Sequence, residues 1–406
     1  MKLKLKLPPA LLAPTIPGSF IMLAGVIILT AAGCRQSDHG DFSIVAEESY
    51  LYADPSLKTR VFKTDSRSVV KVCGKSGGAT KLCPISPGRS LYINSALTTG
   101  MPPLSSPWSL AHLVSRDATL DLHFRRPANV SDPSLHPVIW LDAPPDGSGV
   151  LIRISPAVDA REKTFYATPE MITKIRVWQY GEHETLVHWS PSPFYGIESR
   201  WLAPDLLRLT VKSAVRSPAI VVLDPGHGNG QPGAAVPGTA MTEAELTLRA
   251  ALIMKSELEK SPIKVLLTRS RDTARATSPL TLAQRVELAE KNGADLFISL
   301  HLDNWPTSAF PGLPPKGVSI YFERWFSAPW AAKIAASLPA GNSRERWIVK
   351  RDLAVLLSYQ VPSLLIELAN LAFEEDRRLA LDPSLFEQHV RQVAVAIGSA
   401  VQEPPQ

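Results

Sequence analysis

Residues 219–228, AIVVLDPGHG, contain an unbroken apolar run that ends in a polar, glycine-rich turn. An unbroken run of this kind is typical of a strand that is buried on both faces of a parallel sheet. Further strands are predicted at 265–268, 296–300, 320–322 and 364–366, and segments with helical patterns alternate with them. Those helices are predicted at 243–259, 281–292, 328–338 and 384–401. The alternation predicts an α/β domain over residues 218–402, with a mostly parallel sheet and helices on both of its faces.

Chemically reactive side chains follow three of these strands at the point where each strand ends. They are His227, His301 and Glu367. Because the carboxyl ends of parallel strands meet at one edge of the sheet, we expect these side chains to lie near one another. Taken singly, each is better explained as a satisfied polar group at a sheet edge. Together, the three favour a functional site.

The helix that follows the first turn offers two acids, Glu243 and Glu245. Thr242 and Glu245 have the spacing of a capping box, which explains Glu245 structurally. Glu243 has only a mild structural explanation, the favourable effect of negative charge at a helix N-terminus. We therefore predict that Glu243 joins His227 and His301 as a metal ligand, because two histidines and one carboxylate are a common zinc set that leaves a position for water.

The segment from residue 221 to about 400 resembles the catalytic domain of zinc-dependent N-acetylmuramoyl-L-alanine amidases of the amidase-3 type. This segment is nearly half of the 406 residues. The motifs that carry the resemblance occur in the family's order: DPGHG at 224–228, PGA at 232–234, Glu243 with Leu248 and Ala251, LTR at 267–269 with Asp272, Leu282 with Arg285, ADLFISLH at 294–301, and the strand 362–367 that ends in Glu367.

The resemblance implies hydrolysis of the amide bond between N-acetylmuramic acid and L-alanine in peptidoglycan. His227, Glu243 and His301 would bind Zn²⁺, and Glu367 would move the proton. Arg285 would either orient an anionic peptide or pair with an acid such as Asp272, and the structural role is preferred. Asp224 would fix the glycine-rich loop or hydrogen-bond a ligand histidine.

Three stretches depart from the family pattern. Gln231 replaces the usual aspartate, residues 302–304 (LDN) replace a small segment, and residues 368–370 (LAN) replace Gly-Phe. These departures leave the predicted metal ligands and Glu367 in place. They therefore put the fit of the substrate in doubt more than the activity. The segment between His301 and Glu367 also looks too short for a long inhibitory helix. Two alternatives stay open: a catalytically inactive peptidoglycan-binding or regulatory lipoprotein, and another zinc peptidase of the cell wall.

Residues 1–33 resemble an export signal, with three lysines ahead of an apolar stretch at 20–32. That stretch is short for a membrane-spanning helix, which needs ~20 residues. TAAGC at 30–34 resembles a bacterial lipobox with Ala31 where leucine is usual, so Cys34 is predicted to carry lipid. Plain secretory cleavage and a retained anchor are the alternatives. Arg35 follows, which in lipoproteins favours the outer membrane, so we expect an exported protein at the periplasmic face of a membrane, tethered by 34–47.

The formal net charge is +5, and it falls to +2 without residues 1–33. So small a charge gives no support for a nucleic-acid partner. The expected partners are peptidoglycan, the membrane through the lipid anchor, and an activator or division protein.

Residues 48–215 are predicted to be rich in β-strands. LRLTVK at 207–212 alternates strictly, and 175–180 and 186–189 resemble a hairpin. The span 173–215 is weakly similar to the β-sandwich amidase N-terminal domain, a peptidoglycan-targeting module. Cys73 and Cys83 would form a disulfide in an exported protein. Two unpaired buried thiols are the alternative.

Overall fold

The computed structural model describes residues 41–405 except 48, 53–54, 58–59, 65, 83–90, 102–103, 105, 107, 117, 145–148, 159–162, 167–173, 181–183, 192, 229, 272–279, 306–315 and 340–345. The predicted export signal, Cys34 and Cys83 lie outside these residues. Within the described ranges, no helix is both long and apolar enough to span a bilayer.

The amino-terminal half is a β domain built from two sheets. Its strands are β1 (Asp41–Val45), β2 (Ser49–Tyr52), β3 (Arg60–Thr64), β4 (Ser68–Ser76), β5 (Ala79–Leu82), β6 (Tyr92–Asn94), β7 (Thr98–Met101), β8 (Trp108–Arg116), β9 (Thr119–Arg125), β10 (His136–Asp142), β11 (Val150–Ser155), β12 (Ala157–Val158), β13 (Lys163–Tyr166), β14 (Lys174–Tyr180), β15 (Glu184–Ser190), β16 (Gly196–Ala203) and β17 (Leu206–Lys212).

Twelve of these strands form one sheet, and five form a second in the order β12-β8-β9-β17-β16. One hydrophobic cluster draws residues from both sheets, so residues 41–212 share a single core. The predicted hairpin is β14 paired with β15, and 206–212 alternate between partly and fully buried positions. However, β14 and β15 belong to the large sheet, whereas β16 and β17 belong to the small one. Residues 173–215 are therefore not a module by themselves.

The predicted tether at 34–47 is wrong at its carboxyl end. Residues 41–45, DFSIV, form β1, which pairs with β4 and β7. Phe42 and Val45 are buried, and their apolar contacts stabilise a segment that looks polar in isolation.

Cys73 in β4 is disulfide-bonded. Its pairing with Cys83 stays a prediction.

The carboxyl-terminal half is an α/β domain. Its strands are β18 (Ala219–Pro225), β19 (Ile263–Leu267), β20 (Leu296–Asp303), β21 (Val318–Phe322), β22 (Arg346–Lys350) and β23 (Ser363–Asn370), and its helices are α1 (Glu243–Leu258), α2 (Leu282–Lys291), α3 (Ala328–Ser337), α4 (Glu374–Leu381) and α5 (Pro383–Gln402). The sheet order is β19-β18-β20-β23-β21-β22. The first four strands are mutually parallel, and β21 runs antiparallel to β23.

Helices cover both faces of this sheet, as predicted. Val221 and Leu223 belong to a cluster with α1, α3, α4 and α5, whereas Val222 between them belongs to a second cluster with α2. Successive side chains of a strand point to opposite faces, so these two clusters are the two faces of the sheet. The helix assignments predicted from the sequence agree with the structure to within about a residue, but β22 and α4 were not predicted.

The β domain docks on the amino-terminal edge of the α/β sheet. Lys212 forms an ion pair with Asp295, the residue before β20, at 2.7 Å. The Tyr359 hydroxyl, just before β23, donates to the carbonyl of Leu141 at 2.7 Å, and Trp325 Nε1 donates to the carbonyl of Gly149 at 2.9 Å. The opposite, carboxyl edge of the sheet is thus left to the candidate site.

Candidate active site

The structure brings His227, Glu243 and His301 together, with their ligand-type atoms all within 4.8 Å of one another. His227 Nε2 lies 3.1 Å from Glu243 Oε2, and His301 Nδ1 lies 2.9 Å from Glu243 Oε1. Burial alone would raise the pKa of Glu243, but hydrogen bonds with both histidines outweigh it and hold the pKa well below its ordinary value. The cluster could hold a metal ion.

Glu243 stands at the first position of α1, where the sequence placed it. Thr242 and Glu245 form the predicted capping box, with reciprocal hydrogen bonds that begin the helix. The backbone N–H groups of Ala234 and Leu302 donate to the two oxygens of Glu243 at 2.9 and 3.1 Å. These bonds fix the carboxylate so that both of its oxygens face the histidines.

His227 lies in a tight loop between two glycines, with φ at +59°. Left-handed backbone at a residue with a side chain is uncommon and is often associated with a functional constraint. Arg269 holds this loop, because its guanidinium donates to the carbonyls of Pro225 and Gly226 at 3.0 and 2.8 Å. The loop therefore presents His227 from a rigid base.

Asp224 and Arg285 form a buried ion pair beneath the loop. Arg285 Nη1 donates to Asp224 Oδ1 at 2.8 Å, and its Nη2 donates to the carbonyl of His227 at 2.9 Å. The hydroxyls of Thr268 and Ser299 donate to the two oxygens of Asp224. This arrangement agrees with the structural role preferred for Arg285, with Asp224 as its acid. Asp272, the acid suggested from the sequence, lies outside the described residues.

Glu367 lies beside His301, because the two residues are register partners on β23 and β20. Its side chain is buried, and Oε2 has no hydrogen-bond partner among the described residues. Burial and the nearby Asp303 and Glu243 carboxylates raise the pKa of Glu367 well above its ordinary value. The carboxyl group can therefore hold a proton at the edge of the cluster.

Asp303 is a site residue that the sequence reasoning missed. A hydrogen bond joins its carboxyl group to that of Glu367, and burial raises the pKa of Asp303 to about 7. The signal was present in the sequence, because Asp303 follows His301 by two positions and residues two apart on a strand share a face. The departure from the family pattern at 302–304 thus falls inside the site.

Beyond this carboxyl pair lies a wall of aromatic side chains and one arginine. Arg351 stands over the rings of Trp305 and Tyr321, with its guanidinium carbon 5.4 and 5.8 Å from their centroids. Asn370 fixes Trp305 by donating to its carbonyl oxygen at 3.1 Å. No local sequence pattern marked these residues, since Arg351 and Trp305 come from segments far apart in the chain.

The fold and the site together define an α/β domain with a histidine–glutamate–histidine cluster and a buried acid at the carboxyl edge of its sheet. Residues 221–399 match the family Amidase_3, described as N-acetylmuramoyl-L-alanine amidase. This part of the chain is an amidase-3 domain.

Curated relatives and solved structures are similar to part of this chain. YqiI of Bacillus subtilis (strain 168) is 27% identical over 161 residues, which cover 38% of this chain and 72% of that protein. The N-acetylmuramoyl-L-alanine amidase AmiA of Escherichia coli (strain K12) is 42% identical over 86 residues, 21% of this chain and 28% of AmiA. The catalytic domain of CwlV, an amidase from Bacillus (Paenibacillus) polymyxa var. colistinus, is 28% identical over 46% of this chain and 97% of that domain, with a TM-score of 0.38.

Proposed function

We propose that the protein is a zinc-dependent N-acetylmuramoyl-L-alanine amidase that remodels the cell wall. The observation that carries this proposal is the position of the buried Glu367 carboxyl group directly beside the His227–Glu243–His301 cluster, within a domain of the amidase-3 family. Its substrate would be the amide bond that joins N-acetylmuramic acid to L-alanine in peptidoglycan.

The side chains present fit a zinc ion. Two imidazole nitrogens and one carboxylate are a donor set that zinc favours, and such sites leave one position open. The ligand-type atoms of these three side chains lie within 4.8 Å of one another, close enough to share one ion. When bound, Zn²⁺ supplies the positive charge that acidifies a water molecule and polarises the amide carbonyl.

The chain's own residues would manage the proton. Glu367 takes the proton from the attacking water and returns it to the nitrogen of the departing L-alanine. A raised pKa suits both steps, because the carboxyl group can then hold the proton between them. Asp303 shares a hydrogen bond with Glu367 and fixes its orientation. Asp224, Arg285 and Arg269 keep the His227 loop in place.

The test is digestion of purified peptidoglycan sacculi by full-length protein in detergent, with the products analysed by mass spectrometry. We expect stem peptides with a free L-alanine amine, and a chelator should abolish their release until zinc is restored. Glu367→Gln should lower the rate by about 100-fold or more, since it removes the proton acceptor.

Four outcomes would contradict parts of the proposal. Equal release by wild type and Glu367→Gln would remove the role of Glu367, and release that survives chelation would remove the metal. Binding to sacculi without any product would favour the inactive peptidoglycan-binding or regulatory lipoprotein. Products with a free amine at another residue would favour a zinc peptidase of the cell wall.

We also propose that the protein works at the periplasmic face of a membrane, held there by lipid on Cys34. The support is the export-signal and lipobox pattern of residues 1–34. Mass spectrometry of the membrane-extracted protein tests this directly, because an acylated amino-terminal cysteine has a characteristic mass increase. An activator or division protein is proposed as a further partner.

A further inference from the structure

Arg351 occupies an unusual position for a charged side chain. It directly follows β22, and its backbone N–H donates to the carbonyl of Phe322 at 2.8 Å. This hydrogen bond anchors the backbone of Arg351 beside the end of β21. The side chain is half-buried, and it lies over the ring faces of Trp305 and Tyr321. Contact with two aromatic faces uses the faces of the guanidinium and leaves the N–H groups at its edges able to donate.

The guanidinium stands at the wall of the candidate active site. Tyr321 pairs with Leu365 on the strand that carries Glu367, two positions away. Trp305 follows Asp303 by two positions, and Asp303 is hydrogen-bonded to Glu367. The charge of Arg351 acts on both of these carboxyl groups. The site thus has a cation near the carboxyl groups of Asp303 and Glu367.

Arg351 acts on the carboxyl groups of Asp303 and Glu367 through space and is not in a direct ion pair with either of them. Among the described residues, no carboxylate lies within ion-pair distance of the guanidinium. The Tyr321 hydroxyl beneath it is hydrogen-bonded to both Arg351 and Asp303, so it links the guanidinium to the carboxyl pair. Partly buried charges are usually paired, so a guanidinium that no carboxylate of the described residues contacts indicates a place for an anionic ligand. A planar guanidinium edge fits a carboxylate in bidentate geometry.

We propose that Arg351 binds a carboxylate of the substrate on the peptide side of the scissile amide, and so makes the site selective for acidic peptides. The proposal rests on the function proposed above. In that reaction the group nearest to the departing alanine is the next residue of the stem peptide, a γ-linked glutamate. Its α-carboxylate is free in some peptidoglycans and amidated in others, so Arg351 distinguishes a carboxylate from a carboxamide.

A matched substrate pair tests the inference. The pair is N-acetylmuramoyl-L-alanyl-D-glutamate and its D-isoglutamine counterpart, which differ only in the α-carboxylate. We expect wild type to have a kcat/KM about 10 to 100 times higher for the acid, the range for hydrogen bonds to charged groups. Arg351→Gln should lose this preference mainly through a raised KM for the acid, and hydrolysis of the amide should fall by much less. Arg351→Lys should keep part of the preference, and the exposed Arg378→Gln is the matched control.

Two results would overturn the proposal. One is a preference for the acid that persists in Arg351→Gln. The other is an equal loss on both substrates, which is what a purely structural role, or one that only balances the charge of Asp303 and Glu367, would produce. A pH profile that shifts equally for both substrates in Arg351→Gln, with the preference between them unchanged, would also count against the proposal.

Failure of the proposed function would be visible separately. If wild type hydrolyses neither compound nor sacculi, the amidase proposal fails. Calorimetric binding of the same two compounds to full-length Glu367→Gln protein then judges Arg351, because binding needs no turnover. The inference is supported if Glu367→Gln protein binds the acid more tightly than the amide and the double variant with Arg351→Gln binds both equally. Equal binding of the two compounds by Glu367→Gln protein overturns it.

Discussion

Two glycines approach the ligand side chains so closely that a methyl group would not fit. A Cβ on Gly226 would lie 2.4 Å from the His301 ring, and one on Gly233 would lie 2.6 Å from both Glu243 Oε2 and His227 Cδ2. Atoms that are not bonded do not approach to these distances, so a side chain at either position must displace a ligand. The DPGHG and PGA motifs are thus steric requirements of the cluster.

We predict that Gly226→Ala lowers zinc affinity by at least about tenfold, a loss of the size caused by removing the partners of a metal ligand. The methyl group would push the His301 ring away from Glu243. Competition with a chromophoric chelator measures the affinity. Gly100→Ala, at a position with open space for a Cβ, is the control. Unchanged zinc affinity in Gly226→Ala would contradict the proposed ligand set.

Arg285→Met should destabilise the protein by about 3 to 5 kcal/mol, because it leaves the fully buried Asp224 carboxylate without its ion-pair partner. Urea unfolding followed by tryptophan fluorescence measures this loss. Arg378→Met, at an exposed position, should change stability by less than about 0.5 kcal/mol. A similarly small effect of Arg285→Met would show that the pair is not needed to hold the loop.

At the scale of secondary structure, the sequence predicted what local patterns can encode. Apolar runs located β18, β20 and β23, and the capping box correctly separated Glu243 from Glu245. The short strand β22, with charged residues at both ends, carries no comparable pattern and was not predicted. Asp303 and Arg351 were missed for a related reason: their role depends on neighbours that only the folded sheet brings together.

A buried acid in the β domain predicts a pH effect. Glu184 in β15 pairs with Arg153 in β11 at 2.9 Å, yet burial raises its pKa to about 7. A folded-state pKa above the unfolded value of 4.5 means that protonation favours the folded state. The stabilisation is complete below pH ~4.5 and is lost as the pH rises to ~7.

The measurement compares wild type with Glu184→Gln. As the pH rises over that interval, we expect the unfolding free energy of wild type to fall relative to that of Glu184→Gln by no more than about 3 kcal/mol. The glutamine of the variant does not titrate, so it contributes no such pH dependence. Chemical denaturation at several pH values gives the curve. A difference that grows in favour of wild type with rising pH would mean that the ion pair with Arg153 dominates over burial.

At the scale of the whole molecule, aromatic side chains of each domain pack into or against the core of the other. Tyr195 of the β domain lies in the helical core of the α/β domain, at 5.5 Å from the Trp330 ring. Trp325 and Tyr359 of the α/β domain pack against the core of the β domain. The two domains therefore differ in architecture, but the core of each is completed in part by side chains of the other.

We predict that Trp325→Ala uncouples the domains, so that calorimetry shows two unfolding transitions where wild type shows one. The substitution removes both the ring packing and the hydrogen bond to Gly149. Tyr359→Phe, which removes only a hydroxyl that donates to Leu141, should keep a single transition at a slightly lower temperature. Two transitions already present in wild type would mean that the contact carries little energy.

This mutual packing limits where the polypeptide can be divided. A fragment that begins at residue 218 would lack Tyr195 from its own interior and would leave Trp325 and Tyr359 facing water. Apolar surface uncovered in this way promotes self-association. The amidase-3 segment, which matches its family over residues 221–399, should therefore aggregate and be poorly soluble when expressed alone. Recombinant work should retain the strands that precede it.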